Sequence, residues 1–279
     1  MSIEQLHRAA CDQGALTYAD PDTGYRVFTA LALERRGDCC GCGCRHCPYG
    51  HREVEGARRS ELGRDPWIEG EVPVGQVDLL FWSGGKDSYL TLRALQREAA
   101  RPVVLLTTFD GRTEKVAHQE VTVPDVRRQH RALGCAHLLI PLYPGEDYMD
   151  RVLLGIQTLQ RRVHVARLVF GDLHLEHVRA WREDALRACP SLSSIPMHLP
   201  LWGTSYEDLL DDLEAAPVKA RVSAVADARC AGMMKVGDLF GRALISRLPD
   251  GVDAFGENGE FHSYVEIPSQ DGEDTLLRR

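Results

Sequence analysis

Short continuous apolar runs alternate along most of this chain with segments in which apolar residues recur every three or four positions. The continuous runs are typical of strands buried on both faces, and the periodic segments are typical of amphipathic helices. This alternation predicts an α/β fold with a parallel, five-stranded, doubly wound sheet covered by helices on both faces. The predicted strands span residues 77–82, 103–109, 137–142, 165–170 and 197–202.

The alternation covers only part of the chain, so it also predicts how the chain divides into domains. Residues 1–70 lack it and are predicted to form a small, separate, cysteine-rich module. The segment 60–75 contains prolines and glycines and is predicted to be the linker. The main domain is expected to span residues 76–268, with a C-terminal α+β extension, and residues 269–279 to form a tail.

Composition is that of an ordinary soluble globular protein. Of the 279 residues, 44% are hydrophobic and 27% are charged, so the chain can bury a sizeable core. No apolar run approaches the ~20 residues that a membrane-spanning helix needs, and the first ten residues lack the apolar segment of a secretory signal. We therefore expect a cytoplasmic protein with no membrane partner.

The net charge argues against unspecific nucleic-acid binding but does not exclude a tRNA partner. The formal net charge of −8 argues against unspecific binding of nucleic acid. Residues 35–64 nevertheless carry seven arginines against four acidic residues. A tRNA partner is therefore allowed, although the pattern does not favour it.

A glycine-rich stretch directly follows the first predicted strand and precedes a predicted helix. In this position, backbone N–H groups and the positive end of the helix dipole face one point, where a phosphate would bind. Gly84 and Gly85 let the backbone approach an anion closely. Lys86 adds a mobile positive charge, and Asp87 suits a magnesium ion or a ribose. The whole stretch is Ser83-Gly84-Gly85-Lys86-Asp87-Ser88, with the Ser88 hydroxyl as a further donor.

Polar residues and glycines also follow other predicted strands. Asp110 comes after the second strand, Gly171 and Asp172 come after the fourth, and Trp202 ends the fifth. In open parallel sheets, ligands bind beyond the carboxyl ends of the strands. We therefore expect these residues to converge with the glycine-rich stretch on one crevice.

The chain resembles a known family in three of its segments. The first, SGGKDS at 83–88, resembles the pyrophosphate loop of the ATP pyrophosphatases, or adenine nucleotide alpha hydrolases, which cut ATP between the α and β phosphates. The others are GD-x-x-x-E-x-x-R at 171–179 and GENGEFHS at 256–263. Together they resemble the diphthine–ammonia ligase family across residues 76–268.

This resemblance implies an activity and a set of residue roles. ATP would adenylate a carboxylate on a small molecule or a protein, ammonia would displace AMP, and the enzyme could be a homodimer. The nucleotide and Mg²⁺ would be held by residues 83–88 together with Asp110, Gly171 and Asp172. The acceptor would contact Asn258, His262 and Trp202. The catalytic residues would be Lys86, Asp87, Glu176, Arg179, Glu257 and Glu260.

Five of the nine cysteines lie within nine residues, as Cys39, Cys40, Cys42, Cys44 and Cys47. In a cytosolic chain such a cluster indicates zinc or an iron–sulfur cluster more often than disulfides, although a redox or unpaired thiol patch is the alternative. The segment resembles small cysteine-rich modules with the pattern CC-x3-C-x2-C. That resemblance implies Cys39, Cys40, Cys44 and Cys47 as ligands, with Cys42 or His51 able to replace one of the adjacent pair.

Two other functions remain open for the whole chain. An iron–sulfur-dependent ATP pyrophosphatase for RNA thiolation or sulfur transfer would use the cysteines directly. A non-catalytic ATP sensor would use the glycine-rich stretch for binding alone. At the level of single segments, residues 256–259 are also a good turn sequence, and the acidic run at 207–214 is typical of a solvated helix face.

Overall fold

The computed structural model describes residues 3–21, 23–37, 39–40, 42–49, 64–116 and 120–268, so the predicted tail 269–279 and His51 lie outside the described residues. The chain forms two compact units, Met1–Leu62 and Gly63–Arg279. No helix in the described ranges is long and apolar enough to cross a membrane.

The first unit consists of short elements. Helix α1 (Ile3–Asp12) precedes an antiparallel pair of strands, β1 (Thr17–Ala19) and β2 (Arg26–Phe28), and helix α2 (Ala30–Glu34) follows. Thr29 ends the hairpin and begins α2, because its hydroxyl caps the helix by accepting from the Ala32 amide and donates to the Ala15 carbonyl.

The second unit alternates strands and helices before it ends in an extension. Its elements up to the last sheet strand are β3 (Trp67–Glu69), β4 (Gln76–Phe81), α3 (Lys86–Glu98), β5 (Val103–Asp110), β6 (Lys115–Val116), α4 (Val123–Leu133), β7 (Ala136–Leu142), α5 (Tyr148–Gln160), β8 (His164–Val169), α6 (Glu176–Ala188) and β9 (Met197–His198). The extension contains α7 (Tyr206–Glu214), β10 (Lys219–Val225), a 3₁₀ turn (Ala228–Cys230), α8 (Arg242–Ile245) and β11 (Phe261–Glu266). Strands β10 and β11 form a separate antiparallel pair.

The central sheet confirms the predicted α/β class, although the sheet is mostly rather than entirely parallel and has more than the five predicted strands. Within the described residues it has seven strands, in the order β3-β7-β5-β4-β8-β9, with β6 paired to β5. The strands from β7 to β9 run parallel, whereas β3 and β6 are antiparallel additions that the apolar runs did not predict. Along the chain, β5 and β7 are added on one side of β4, and β8 and β9 are then added on the other side. Ligands are expected where the strand order reverses in this way, at the carboxyl ends of β4 and its neighbours.

One sequence expectation about strands was wrong, and one strand lies where none was expected. Residues 197–202 were expected to form a full strand, but only Met197 and His198 pair with β8, because Pro200 cannot donate to a ladder. The expected linker 60–75 contains β3, whose Trp67 packs edge-on against Phe109 of β5 at 5.7 Å. Strands this short carry too few apolar residues to produce a pattern.

Both faces of the sheet are buried, which explains the continuous apolar runs. On one face, Val77, Leu79 and Leu106 pack against α5, whose Gly155 lets the helix lie close to the side chain of Ile140. Right-handed crossovers place α3 and α4 on the opposite face. Strand alternation directs Leu80 to that face, where it is also fully buried.

A buried histidine in this sheet predicts acid sensitivity. The Nε2 atom of His137 lies 2.8 Å from the Thr107 hydroxyl, which donates to the Trp82 carbonyl. The pKa of His137 is lowered to about 3, mainly by burial and then by the charges of His130 and Arg127. The unfolded chain therefore takes up a proton near pH 6.5 that the folded chain does not bind, so stability is present above pH 6.5 and falls as the pH falls.

We expect His137 to contribute about 2 kcal/mol of destabilisation between pH 6.5 and 5, since one pH unit corresponds to about 1.4 kcal/mol. Urea unfolding at both pH values measures this loss. It should shrink by that amount in His137→Gln and stay unchanged in His164→Gln, whose side chain is exposed on β8. An equal acid loss in wild type and His137→Gln would contradict the assignment.

Candidate functional site at the carboxyl end of the central strand

The glycine-rich stretch forms the tight connection between β4 and α3 that the sequence predicted. Gly84 has φ +81°, and a Cβ there would lie 2.8 Å from the side-chain oxygen of Gln129. Gly85 is the N-cap of α3 and provides no side-chain cap. The Ser83 hydroxyl accepts from the Gly85 amide at 3.3 Å, and the Ser88 hydroxyl donates to the Gly85 carbonyl at 2.9 Å. These two hydroxyls therefore shape the loop.

The first turn of α3 offers an anion site. The amides of Asp87 and Ser88 belong to the first helical turn, where no intrahelical acceptor is available, and the helix dipole adds to their field. The amide of Lys86 is already used, since it donates to the Ser263 hydroxyl at 3.1 Å. The turn can therefore bind a negatively charged group with the amides of residues 87 and 88.

Lys86 differs from the mobile cation that the sequence suggested. Its side chain is only 4% exposed, and Nζ donates to Asp87 Oδ2 at 2.9 Å. Three rings of the C-terminal extension surround the ammonium group, with centroids 5.3 Å (Phe240), 5.1 Å (Phe255) and 5.9 Å (Phe261) from Nζ. Cation–π attraction and burial hold the amine in one place and join the extension to the loop.

Asp87 keeps one oxygen available. Its Oδ1 atom is buried and has no hydrogen-bond partner among the residues that the structure describes, while Oδ2 is paired with Lys86. A buried carboxylate oxygen without a donor is costly unless a ligand satisfies it. Oxygen donors of this type are what Mg²⁺ prefers.

The end of β8 lies against the same helical turn. A Cβ on Gly171 would lie 2.8 Å from the Thr91 hydroxyl and 3.1 Å from the carbonyl of Asp87, so only glycine fits there. The next residue, Asp172, accepts two hydrogen bonds from Arg182, at 2.5 and 3.0 Å. The predicted approach of residues 171 and 172 to the glycine-rich stretch is therefore present in the fold.

The loop between α8 and β11 supplies the third side of the site. Asp253 organises it, because Oδ1 accepts from the amides of Phe255 (2.8 Å) and Glu257 (3.1 Å). Glu260 is 3% exposed and accepts from the amides of Asp253 and Asn258, both at 3.0 Å. The Asn258 side chain also donates to Glu260, at 3.3 Å. Both oxygens of the Glu260 carboxylate therefore accept hydrogen bonds from its own loop.

Glu257 has a different environment from Glu260. The pKa of Glu257 is raised to about 8, mainly by burial and then by the negative charge of Asp87, while Lys86 opposes the shift. Asp253 and Asp172 contribute in the same direction as Asp87. Glu257 thus lies within the field of carboxylates from the β4–α3 connection and the β8–α6 connection, and it holds its proton at neutral pH.

Two residues that sequence reasoning did not select join this cluster. The Tyr206 hydroxyl, at the start of α7, donates to Asp253 Oδ2 at 2.7 Å, and the ring stacks on Phe255 at 4.4 Å. Burial and then Asp253 raise the pKa of Tyr206. Gln129 of α4 accepts from the Trp82 indole and donates to the carbonyls of Gly84 and Val265, at 2.8 to 2.9 Å.

For other predicted site residues, the contacts that the structure describes lie outside this cluster. Asp110 caps its own turn by accepting from the amides of residues 112 and 113. Arg179 pairs with Glu183 at 2.9 Å and lies 5.0 Å over the ring of Trp202. Glu176 lies in the first turn of α6. Strand alternation places His262 on the face of β11 opposite Ser263, which contacts the loop.

In the first unit, the predicted cysteine ligands form two pairs. The Sγ atoms of Cys39 and Cys47 are 3.8 Å apart, and those of Cys40 and Cys44 are 3.3 Å apart. Burial and the hydrogen bond with Cys40 raise the pKa of Cys44 to about 12. Cys42 donates its thiol to the Cys40 carbonyl at 3.3 Å.

The same unit brings one group of metal-ligand side chains together: Glu4, His7 and His46 each place a ligand atom within 4.8 Å of the others. The two imidazoles stack at 3.7 Å with planes 4° apart. His7 Nε2 accepts from the Ala30 amide, and His46 Nε2 lies 2.7 Å from the Tyr18 hydroxyl. The metal-binding lone pair of an imidazole lies in the plane of its ring, and these two planes are parallel and separate. A single metal ion could bind both rings only if one of them turned.

Comparisons with known proteins leave the function open. Residues 6–53, which include the cysteine cluster, match DUF5522, a family of unknown function. Among solved structures, the chain is similar to a protein from Methanocaldococcus jannaschii described as a predicted subunit of tRNA methyltransferase. Sequence identity is 16%, with 70% of this chain and 97% of that chain covered, and the TM-score is 0.35. Similarity at this level supports no functional inference, so the site is interpreted from its own geometry.

Proposed function

We propose that the second unit is an ATP-dependent, AMP-forming ligase that adenylates a carboxylate and converts it to an amide with ammonia. The observation that carries the proposal is the buried Oδ1 of Asp87, which has no hydrogen-bond partner in the part of the chain that the structure describes and lies next to a glycine loop at the start of a helix. A turn that can bind phosphate, next to a carboxylate oxygen that can bind a hard cation, is the combination that a magnesium-bound nucleotide requires.

The residues fit the nucleotide in three respects. The amides of Asp87 and Ser88 would hold phosphate oxygens, and the left-handed turn at Gly84 gives a ligand close access to the backbone. Asp87 Oδ1 would hold the magnesium ion. When bound, Mg²⁺ supplies positive charge that stabilises pyrophosphate as a leaving group.

Glu257 would handle the proton of the amidation step. Its pKa of about 8 places proton uptake and release near physiological pH, which is what a general acid–base group needs. As a carboxylate it would accept the proton that ammonia loses when it attacks the activated carbonyl. Asp253, Glu260 and Asn258 would hold the loop that positions it, through the hydrogen bonds described above.

Some predicted roles rest on the family resemblance alone. A catalytic role for Glu176 and Arg179, nucleotide binding by Asp110, and acceptor contacts by His262 and Trp202 stay predictions, as do the homodimer and the tRNA partner. Lys86 has a defined position, in which it neutralises Asp87 and anchors the aromatic extension.

Product analysis tests the proposal. With Mg²⁺–ATP, ammonium and a panel of free and protein-borne carboxylates, we expect equal amounts of AMP and pyrophosphate, formed only when an acceptor is present. Carboxylate-dependent exchange of labelled pyrophosphate into ATP, without ammonium, would identify the adenylate. We expect Asp87→Asn to reduce AMP formation by about 100-fold or more. Asp184→Asn, a change on the exposed face of α6, should leave it unchanged.

The competing functions give different results in the same assays. ADP and phosphate as products would contradict the proposal. AMP formation that requires a sulfur donor and an RNA would support the thiolation enzyme instead. Tight ATP binding without turnover on any acceptor would support the sensor.

A further inference from the structure

The arrangement of the cysteines does not fit the four-thiol metal site that the resemblance implied. A tetrahedral zinc with Zn–S bonds of about 2.3 Å separates its sulfur ligands by about 3.8 Å in every direction. The Cys39–Cys47 distance equals this value, but Cys40 and Cys44 are closer, at 3.3 Å. Within the described residues, no three thiols lie within 4.8 Å of one another. The geometry is that of two thiol pairs, Cys39–Cys47 and Cys40–Cys44, with Cys42 hydrogen-bonded to the Cys40 carbonyl beside the second pair.

We propose that Cys40 and Cys44 form a thiol–disulfide exchange site whose substrate is a low-molecular-weight disulfide. The two Sγ atoms are already in van der Waals contact, so side-chain rotation and a small loop adjustment can bring them to the ~2.05 Å of a disulfide. Between them, Gly43 has φ +65°, a conformation that keeps this short connection tightly curved.

The two thiols differ in the way that exchange requires. Cys40 is exposed and can meet a reagent from solution, whereas Cys44 is partly buried behind it. Cys40 is therefore the attacking thiol, and Cys44 is the resolving thiol.

The reaction balances without any further component. The Cys40 thiolate attacks one sulfur of the disulfide RSSR, which forms the Cys40–S–S–R bond and releases RS⁻. Cys44 then attacks the Cys40 sulfur, loses its proton in the same step, forms the internal disulfide and releases the second RS⁻. The protein loses two electrons and two protons, and RSSR gains them as two RSH molecules. A dithiol reagent reverses both steps.

The experiment uses the full chain, purified without oxygen and treated with oxidised glutathione as the probe. Remaining thiols are alkylated at intervals, and peptides are analysed by mass spectrometry. We expect the Cys40–Cys44 disulfide to appear first, at least about tenfold faster than modification of Cys42, with two glutathione thiols released per disulfide. Cys44→Ser should stop at a glutathione adduct on Cys40, and Cys40→Ser should form neither product.

The matched control is Cys189→Ser, a partly exposed thiol at the end of α6, which should leave disulfide formation unchanged. Circular dichroism of each variant verifies that the chain is folded. Zinc or iron bound in stoichiometric amounts and protecting the four thiols from alkylation would overturn the proposal. Glutathione spread over the exposed cysteines without an internal disulfide would overturn it as well. ATP turnover is a separate readout, so failure here leaves the ligase proposal unaffected.

Discussion

Gly84→Ala should destabilise the second unit by about 3 kcal/mol and abolish ATP binding. An L-residue at φ +81° costs about 1–2 kcal/mol. The new Cβ would also lie 2.8 Å from Gln129 Oε1 and 3.2 Å from a methyl group of Val121, so Gln129 must move. Moving it weakens buried hydrogen bonds to Trp82 and Val265, each worth about 1 kcal/mol.

Gly145→Ala is the matched control, because Gly145 has φ +86° but open space around its Cα. It should show the backbone cost alone and leave nucleotide binding intact. Urea unfolding and calorimetric titration with Mg²⁺–ATP measure both quantities. In a double-mutant cycle, Gln129→Ala should relieve part of the Gly84→Ala cost. Equal losses for Gly84→Ala and Gly145→Ala, with ATP still bound, would show that Gln129 does not organise the loop.

Glu257→Gln should have the opposite effect on stability, with a gain of about 2 kcal/mol at pH 7. The carboxyl group ionises near the ordinary glutamate pKa of 4.5 in the unfolded chain but only near pH 8 in the folded chain. Stability of the wild type is therefore lost as the pH rises from 4.5 to 8. Each pKa unit corresponds to about 1.4 kcal/mol, and residual exposure reduces the total. A neutral amide avoids this penalty, and we expect it to reduce amide formation by about 100-fold.

Glu260→Gln, in the same loop, should instead destabilise the protein by about 1–2 kcal/mol. Both Glu260 oxygens accept backbone amides, and an amide side chain can keep only one of these acceptors. Urea unfolding at pH 5, 7 and 8.5 separates the two variants, because the gain from Glu257→Gln should be nearly absent at pH 5. A gain independent of pH, or a loss at every pH, would refute the assignment of the raised pKa.

The central strands were predictable because the apolar pattern that marks each of them lies within the strand itself. A parallel strand buried on both faces needs apolar residues at successive positions, and β4, β5, β7 and β8 follow this pattern. Strand β3 and the shortened β9 were missed, since three or two paired residues leave no periodic signal. Their pairing depends on neighbours that are distant in sequence.

The site was predictable in part for the same reason. The β4–α3 connection is continuous in sequence, so its glycines and Asp87 could be recognised without a fold. Gln129, Tyr206 and Asp253 join the site from other parts of the chain. The residues next to them in sequence form no motif that would identify them. The acidic run after Tyr206 indicated a solvated helix, and nothing in that pattern distinguishes the first residue of α7, whose hydroxyl bonds to Asp253.

By itself, the sequence determined the alternation of strands and helices, the glycine turn after the first long strand and the local density of cysteines, because each depends on near neighbours along the chain. Tertiary structure alone decided that Glu257 carries a raised pKa, where the Lys86 amine points, and which thiols meet. The physical reason is that burial, electrostatic fields and side-chain contact are set by groups far apart in sequence. Asp87 meets Glu257, and Lys86 meets Phe255, only after β11 has folded back onto the glycine turn.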